Sequence, residues 1–160
     1  METDYNIYIK ESMALIKKMI GAVVKEIRVN IVDPEFNVVY LQTDKGVFAI
    51  QGEIGGEYLG IYLLEVLPEI TNQNGYMIVS YPVYDCFIGR RICEVHQIGE
   101  AWKGHGIEIC FETIPERTLI VQSIYSGDKP KDCEDCLRLG MGVYEFIYRT
   151  KHTETDRSNR

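Results

Sequence analysis

Cysteine and histidine are the side chains of this 160-residue chain best suited to covalent or metal chemistry; there are five cysteines and three histidines. Nucleophilic pairs form in space rather than along the chain, so Cys110 with His96, or Cys93 with His105, are candidate thiol–imidazole pairs of a hydrolase. Neither pair comes with a recognisable oxyanion element, and the motifs G-x-S-x-G, H-E-x-x-H and G-x-x-x-x-G-K-[ST] are absent. We therefore expect no catalytic site, with the hydrolase kept as an alternative.

The only C-x-x-C motif of the chain is Cys133-Glu-Asp-Cys136. A structural zinc site needs about four ligands, and neither a second C-x-x-C nor a pair of histidines supplies the others. Glu134 and Asp135 disfavour the thiolate form that a redox motif requires. The motif therefore predicts a loop-to-helix turn with neither a metal nor redox chemistry.

A second motif to consider is the glycine-rich loop Gly52-Glu-Ile-Gly-Gly-Glu57. Glycine-rich loops cradle phosphate through backbone N–H groups and a lysine, and this loop has no lysine. Its carboxylates, Glu53 and Glu57, repel phosphate, and no third acidic partner is evident to complete a cation site. The loop therefore predicts a tight turn, and no cofactor or metal is expected.

The elements that must position these residues follow from periodicity. Apolar residues recur at helical spacing over residues 5–20, and Gly21 is a natural stop. Residues 58–67 are apolar throughout, which leaves a strand and a short helix as alternatives. The predicted strands are 25–32, 37–43, 47–51, 76–83, 90–98, 107–111, 118–124 and 143–148. A short helix is predicted over 130–139.

Length and composition favour one globular domain. The chain is 46% apolar and 26% charged, which is ordinary for such a protein. No apolar run approaches the about 20 residues of a transmembrane helix, and the N-terminus lacks the features of a signal peptide. We predict a single domain over residues 1–150 with a polar, flexible tail over 151–160. Its fold class is α+β, with an N-terminal helix packed on a mostly antiparallel β-sheet.

Two parts of the chain resemble each other. Met19-Ile-Gly21 matches Phe87-Ile-Gly89 at an offset of 68 residues, and Gln51 matches Gln122 at an offset of 71. The pattern predicts two similar three-stranded units that form a sandwich or a partly open barrel. Unit one spans residues 19–52, and unit two spans residues 87–123. Generic patterning of antiparallel strands is the alternative explanation.

Charge is distributed unevenly along the chain, whose formal net charge is −7. No lysine or arginine lies between Lys45 and Arg90. The acidic residues of that stretch are Glu53, Glu57, Glu65, Glu69 and Asp85. Phosphate backbones are bound by cations, so this stretch argues against direct nucleic-acid binding. It favours a protein partner with a basic surface, and solubility alone is the other explanation.

Aromatic residues strengthen the case for binding. The single tryptophan lies in the glycine-flanked turn Trp102–Gly106, and the chain has 11 tyrosines. Tryptophan and tyrosine are frequent anchors of protein interfaces. We predict a small acidic, non-catalytic protein of the cytoplasm that occludes a basic surface of a protein partner, as inhibitor, immunity-type or phage-encoded anti-defence proteins do. The predicted contact residues are Glu53, Glu57, Tyr58, Trp102 and His105.

The alternative function is binding of a small ligand, such as a nucleotide or another metabolite. Its site would lie at the junction of the two units or across a homodimer, because pseudo-symmetric junctions often form grooves. The glycines of residues 52–56 would allow the backbone to approach the ligand closely.

Overall fold

The computed structural model describes residues 4–32, 35–53, 58–68, 76–100, 104–124 and 137–142. Its helices are α1 (Asp4–Ala14), α2 (Ile16–Met19) and a 3-10 helix (Pro82–Phe87). Its strands are β1 (Val24–Val32), β2 (Glu35–Thr43), β3 (Gly46–Glu53), β4 (Tyr58–Leu64), β5 (Tyr76–Val79), β6 (Ile92–Ile98), β7 (Gly106–Phe111), β8 (Ile114–Ser123) and β9 (Leu137–Gly142). None of the helices in these ranges combines the length and the apolar character needed to cross a bilayer.

The strands form two sheets, both antiparallel. The first has the order β4-β3-β2-β1-β5 and the second the order β6-β7-β8-β9. Both contribute to the main apolar core, in which Phe48 and Ile50 of the first sheet join Ile107 and Leu119 of the second, all of them fully buried. A smaller apolar cluster around Tyr40, Val47 and Ala49 lies on the first sheet alone. Alternation of side chains along each strand supplies the apolar face that must be buried. The predicted α+β class, with a helix preceding mostly antiparallel sheet, is confirmed.

The two predicted units share their pairing registers. β1 and β2 pair in the same register as β6 and β7 when residues are offset by 68, and the irregularity after Val24 recurs after Ile92. β3 corresponds to β8 at an offset of 71, so that Gln51 and Gln122 lie opposite equivalent residues of the preceding strands. An internal repeat requires such coincident registers, because a duplicated unit keeps its strand pairing.

The two units also contact each other through equivalent hydrogen bonds. The Gly21 N–H donates to Ile92 O, and the Gly89 N–H donates to Val24 O, each at 2.7 Å. Both glycines adopt positive φ, 93° at Gly21 and 82° at Gly89. Only glycine adopts such angles at little cost, so the backbone requires this residue type where each unit begins.

Three sequence expectations need correction or completion. Residues 58–64 form a strand, which settles the alternative left open for 58–67. The strand predicted over 76–83 ends at Val79, and a 3-10 helix follows from Pro82, since proline cannot donate a ladder hydrogen bond. The helix predicted over 130–139 is wrong from Leu137 onward, where β9 pairs with β8. The predicted strand 143–148 and the tail 151–160 lie outside the described residues.

The outer edge of the first sheet is capped by side chains. β4 is an edge strand, so half of its backbone N–H groups point away from β3. The Ile61 N–H donates to Ser12 Oγ of α1 at 3.0 Å, and the Leu59 N–H donates to His105 Nδ1 at 2.9 Å. These bonds satisfy buried donors and attach both α1 and the second sheet to β4.

Candidate functional site

Three of the five predicted contact residues lie within the described ranges. Glu53 ends β3 and lies opposite Tyr58, the first residue of β4. Tyr58 is buried at 3% exposure, and His105 is buried at 2%. Glu57 and Trp102 lie outside the described residues. Of the described members of the set, only Glu53 is partly exposed.

His105 links the two sheets instead of facing solvent. Its Nδ1 accepts the Leu59 N–H, so the neutral ring carries its proton on Nε2, which donates to Gln97 Oε1 at 3.0 Å. Its backbone carbonyl accepts both the N–H and the hydroxyl of Ser123, at 2.8 and 2.9 Å. Burial lowers the pKa of the His105 imidazole. These contacts assign His105 a structural role, because both of its nitrogens are occupied within the fold.

An exposed surface lies at the C-terminal end of β4, where the Tyr62 hydroxyl reaches the Glu53 side chain. We call it the β4 surface; its residues are Glu53, Tyr62, Leu63, Glu65 and Val66. Tyr62 is 44% exposed, Leu63 36% and Val66 74%. The Tyr62 hydroxyl donates to Glu53 Oε1 at 2.7 Å, and the same oxygen accepts from Gln51 Nε2 at 2.9 Å. Tyr62 shares a sheet face with Glu53, whereas Leu63, the next residue of β4, points to the opposite face. The β4 surface is therefore the exposed rim of the edge strand, with the Glu53 carboxylate held in place on one side of it.

A cleft of about 560 Å³ lies next to the β4 surface. Its walls include Lys25, Glu26, Gln42, Glu65 and Val66, so it is formed by the first sheet and the segment after β4. The side-chain oxygen of Gln42 is buried, and no hydrogen bond to it is found in the described part of the chain. A buried acceptor without a donor is costly. That oxygen has almost no accessible surface, so an N–H or O–H group of a ligand in the cleft would reach it only after the Gln42 side chain rotates.

The second sheet carries a cluster of three potential metal ligands. Glu94 and His96 alternate along β6, and Cys110 of β7 lies opposite Glu94. One candidate ligand atom from each residue lies within 4.8 Å of the other two. His96 Nε2 and Glu94 Oε2 are 2.8 Å apart, and both side chains are partly exposed, whereas Cys110 is 2% exposed. Thiol, imidazole and carboxylate are all donor types that bind zinc.

Comparison with known proteins assigns the chain to no family. It matches no protein-family model, no curated protein and no solved structure.

One of the two candidate thiol–imidazole pairs is brought together, since Cys110 and His96 both belong to the cluster. The other pair is not suited to catalysis, because both nitrogens of His105 are engaged. Burial and the nearby Glu94 raise the pKa of the Cys93 thiol, which reduces the nucleophilic thiolate. The Cys110 sulfur is buried, so this conformation gives a substrate little access to it. The geometry does not favour a cysteine hydrolase.

Sequence reasoning missed Glu94 as a member of this cluster. The available signal was the Glu-x-His spacing within a predicted strand, since alternate strand residues share a face. Which residue of the next strand faces them depends on the register between β6 and β7. That register is shifted by an irregularity between Ile92 and Glu94, which alternation alone does not reveal.

Proposed function

We propose that this protein is an acidic, non-catalytic binding protein that covers a basic surface of a protein partner. The observation that carries the proposal is the β4 surface, where three exposed apolar side chains lie in one five-residue segment with the Glu65 carboxylate, and Tyr62 of that segment is hydrogen-bonded to Glu53 of β3. Clustered exposed apolar groups are typical of interaction sites, and tyrosine is a frequent anchor. The lack of lysine and arginine throughout residues 46–89 favours a basic partner, because opposite charges steer association.

We further propose how the two units are arranged and in which compartment the protein acts. Units one and two form the two layers of a sandwich, with the β4 surface at one outer edge. The protein acts in the reducing cytoplasm, where the described cysteines, Cys86, Cys93 and Cys110, remain reduced and outside any disulfide, as found here. Tyr58 and His105 are left out of the contact surface because they are buried.

Site-specific photo-cross-linking in the native cell tests the surface. A photoreactive amino acid at Tyr62 is expected to capture one basic protein. The matched control is the same amino acid at Glu116, an exposed residue of β8 in the other sheet, which should not capture it. Capture from both positions, or of an acidic protein from Tyr62, would contradict the proposal.

The captured partner then allows a quantitative prediction. Tyr62→Ala combined with Glu65→Lys should weaken binding by about 100-fold, since an interface anchor alone contributes about 2 kcal/mol or more. Glu116→Lys makes the same charge change on the other sheet and should alter the Kd by less than about threefold. Isothermal titration calorimetry measures both. An unchanged Kd in the double variant would exclude the β4 surface as the contact.

A second candidate function, small-ligand binding in the cleft, is favoured by the unpartnered oxygen of Gln42. Gln42→Met removes this buried acceptor at similar volume and should raise the free energy of unfolding by about 1 kcal/mol. In a thermal-shift panel of nucleotides and metabolites, a true ligand at a hundred times its Kd should stabilise the original protein by about 2.7 kcal/mol. Gln42→Met should abolish that stabilisation. If Gln42→Met lowers the free energy of unfolding, and no compound shifts the melting temperature of the original protein, small-ligand binding in the cleft is excluded.

A further inference from the structure

We propose that Glu94, His96 and Cys110 supply three ligands of an open Zn²⁺ site on unit two, with a water molecule as the fourth. This site is independent of the partner surface proposed above, which lies on the other sheet. It also departs from the expectation, drawn from the sequence, that the chain holds no metal.

The strand framework already holds the three donors near a common centre. Glu94 and His96 are two residues apart on β6, and Cys110 is fixed opposite Glu94 by the β6–β7 ladder. Tetrahedral zinc with ligand bonds of 2.0–2.3 Å places its ligand atoms about 3.3–3.8 Å apart. The three candidate atoms lie within 4.8 Å of one another, so side-chain rotations that move them by about 1 Å complete the geometry.

Access to the cluster suits a small cation. Glu94 and His96 are partly exposed, so an ion reaches them from solvent. Cys110 lies beneath them at 2% exposure, where a metal ion bound to its neighbours can still contact the sulfur. A thiolate together with an imidazole selects zinc over magnesium or calcium, which prefer oxygen ligands.

The local charge also favours a cation. β6 and β7 contain no lysine or arginine. Glu108, the cross-strand neighbour of His96, is a carboxylate at only 9% exposure, and it accepts a hydrogen bond of 2.8 Å from the Thr118 hydroxyl. A second negative charge next to the donors strengthens the attraction for a divalent ion, most of all where solvent is partly excluded.

The equivalent positions of unit one provide an internal comparison. At the offset of 68, Glu94, His96 and Cys110 correspond to Glu26, Arg28 and Gln42, which pair in the same register. There the Glu26 carboxylate is bound by the Arg28 guanidinium, with Nε donating to Oε2 at 2.9 Å. Guanidinium has no lone pair to offer a metal. In unit one, the Arg28 guanidinium thus supplies a positive charge at the position that corresponds to His96, a proposed metal ligand of unit two.

The test uses the full-length chain, reduced and free of metal, with Cys133→Ser and Cys136→Ser introduced so that the C-x-x-C motif cannot contribute. Co²⁺ serves as the spectroscopic probe, and Zn²⁺ binding is measured by calorimetry. We expect one ion per chain and a thiolate-to-cobalt charge-transfer band. Cys110→Ser should abolish the band and weaken Zn²⁺ binding by at least about 100-fold, more than the loss of an outer-shell contact.

Two kinds of variant keep the result interpretable. Glu94→Gln and His96→Gln change partly exposed side chains, so they should fold while weakening Zn²⁺ binding by a similar factor. Cys93→Ser changes an exposed thiol of the same strand and should leave the band and the affinity unchanged. Absence of a thiolate band in the parent protein, or its loss in Cys93→Ser and retention in Cys110→Ser, would overturn the proposal.

Discussion

Replacing His105 with alanine is expected to lower the free energy of unfolding by about 3 kcal/mol. The change removes the acceptor of the buried Leu59 N–H, and a buried donor left unpaired costs about 1–3 kcal/mol. It also removes the bond to Gln97 and leaves a cavity at a residue that is only 2% exposed. Urea denaturation measures the loss. A cost below about 1 kcal/mol would show that this histidine does not hold the sheets together.

The same histidine should make stability depend on pH. Burial lowers the pKa of His105 in the folded protein, so between that value and the unfolded value near 6.5 the unfolded chain binds more protons. Its contribution to stability is therefore complete above about pH 6.5 and declines as the pH falls towards the folded-state pKa. Protonating Nδ1 would also remove the acceptor of the Leu59 N–H.

His105→Asn separates the two effects. Its side-chain oxygen can still accept a hydrogen bond, but it does not titrate. We expect this variant to keep more stability than His105→Ala and to lose part of the decline in stability below about pH 6.5. An unaltered pH profile in His105→Asn would assign that decline to other groups.

The second large effect is expected at Phe87, the last residue of the 3-10 helix. Its ring stacks on that of Phe111 with centroids 4.5 Å apart, and both rings are buried in the shared core. Phe87→Ala should cost about 4 kcal/mol, through lost burial and the cavity left behind. Because domains of this size are stable by only about 5–15 kcal/mol, the melting temperature should fall markedly.

The control for this change is Val83→Ala in the same 3-10 helix. Val83 is 61% exposed, so its truncation should alter stability by no more than about 0.5 kcal/mol. Equal effects of the two substitutions in thermal denaturation would contradict the packing assigned to Phe87. Phe87 also corresponds to Met19, the last residue of α2, at the offset of 68, and both side chains are fully buried.

Much of the fold follows from local patterns in the sequence. The helical spacing before Gly21 and the alternation in the strands depend on neighbouring residues, so they can be recognised without coordinates. Gln51 and Gln122 also proved to occupy equivalent places in the ladders. The apolar segment 58–67 is ambiguous from sequence, because the strand state of residues 58–64 depends on pairing with β3.

The burial and the clustering of the chemically active side chains depend on residues far away in the chain. His105 looked like a loop-tip contact residue, yet it is buried because Leu59, 46 residues away, supplies its hydrogen-bond donor. Glu94, His96 and Cys110 meet only through the shifted β6–β7 register. Residue types and spacing thus specify the N-terminal helix and the strands, since those arise from short-range sterics and periodicity. Burial and clustering arise from contacts between segments far apart in the chain, which only the packed sheets establish.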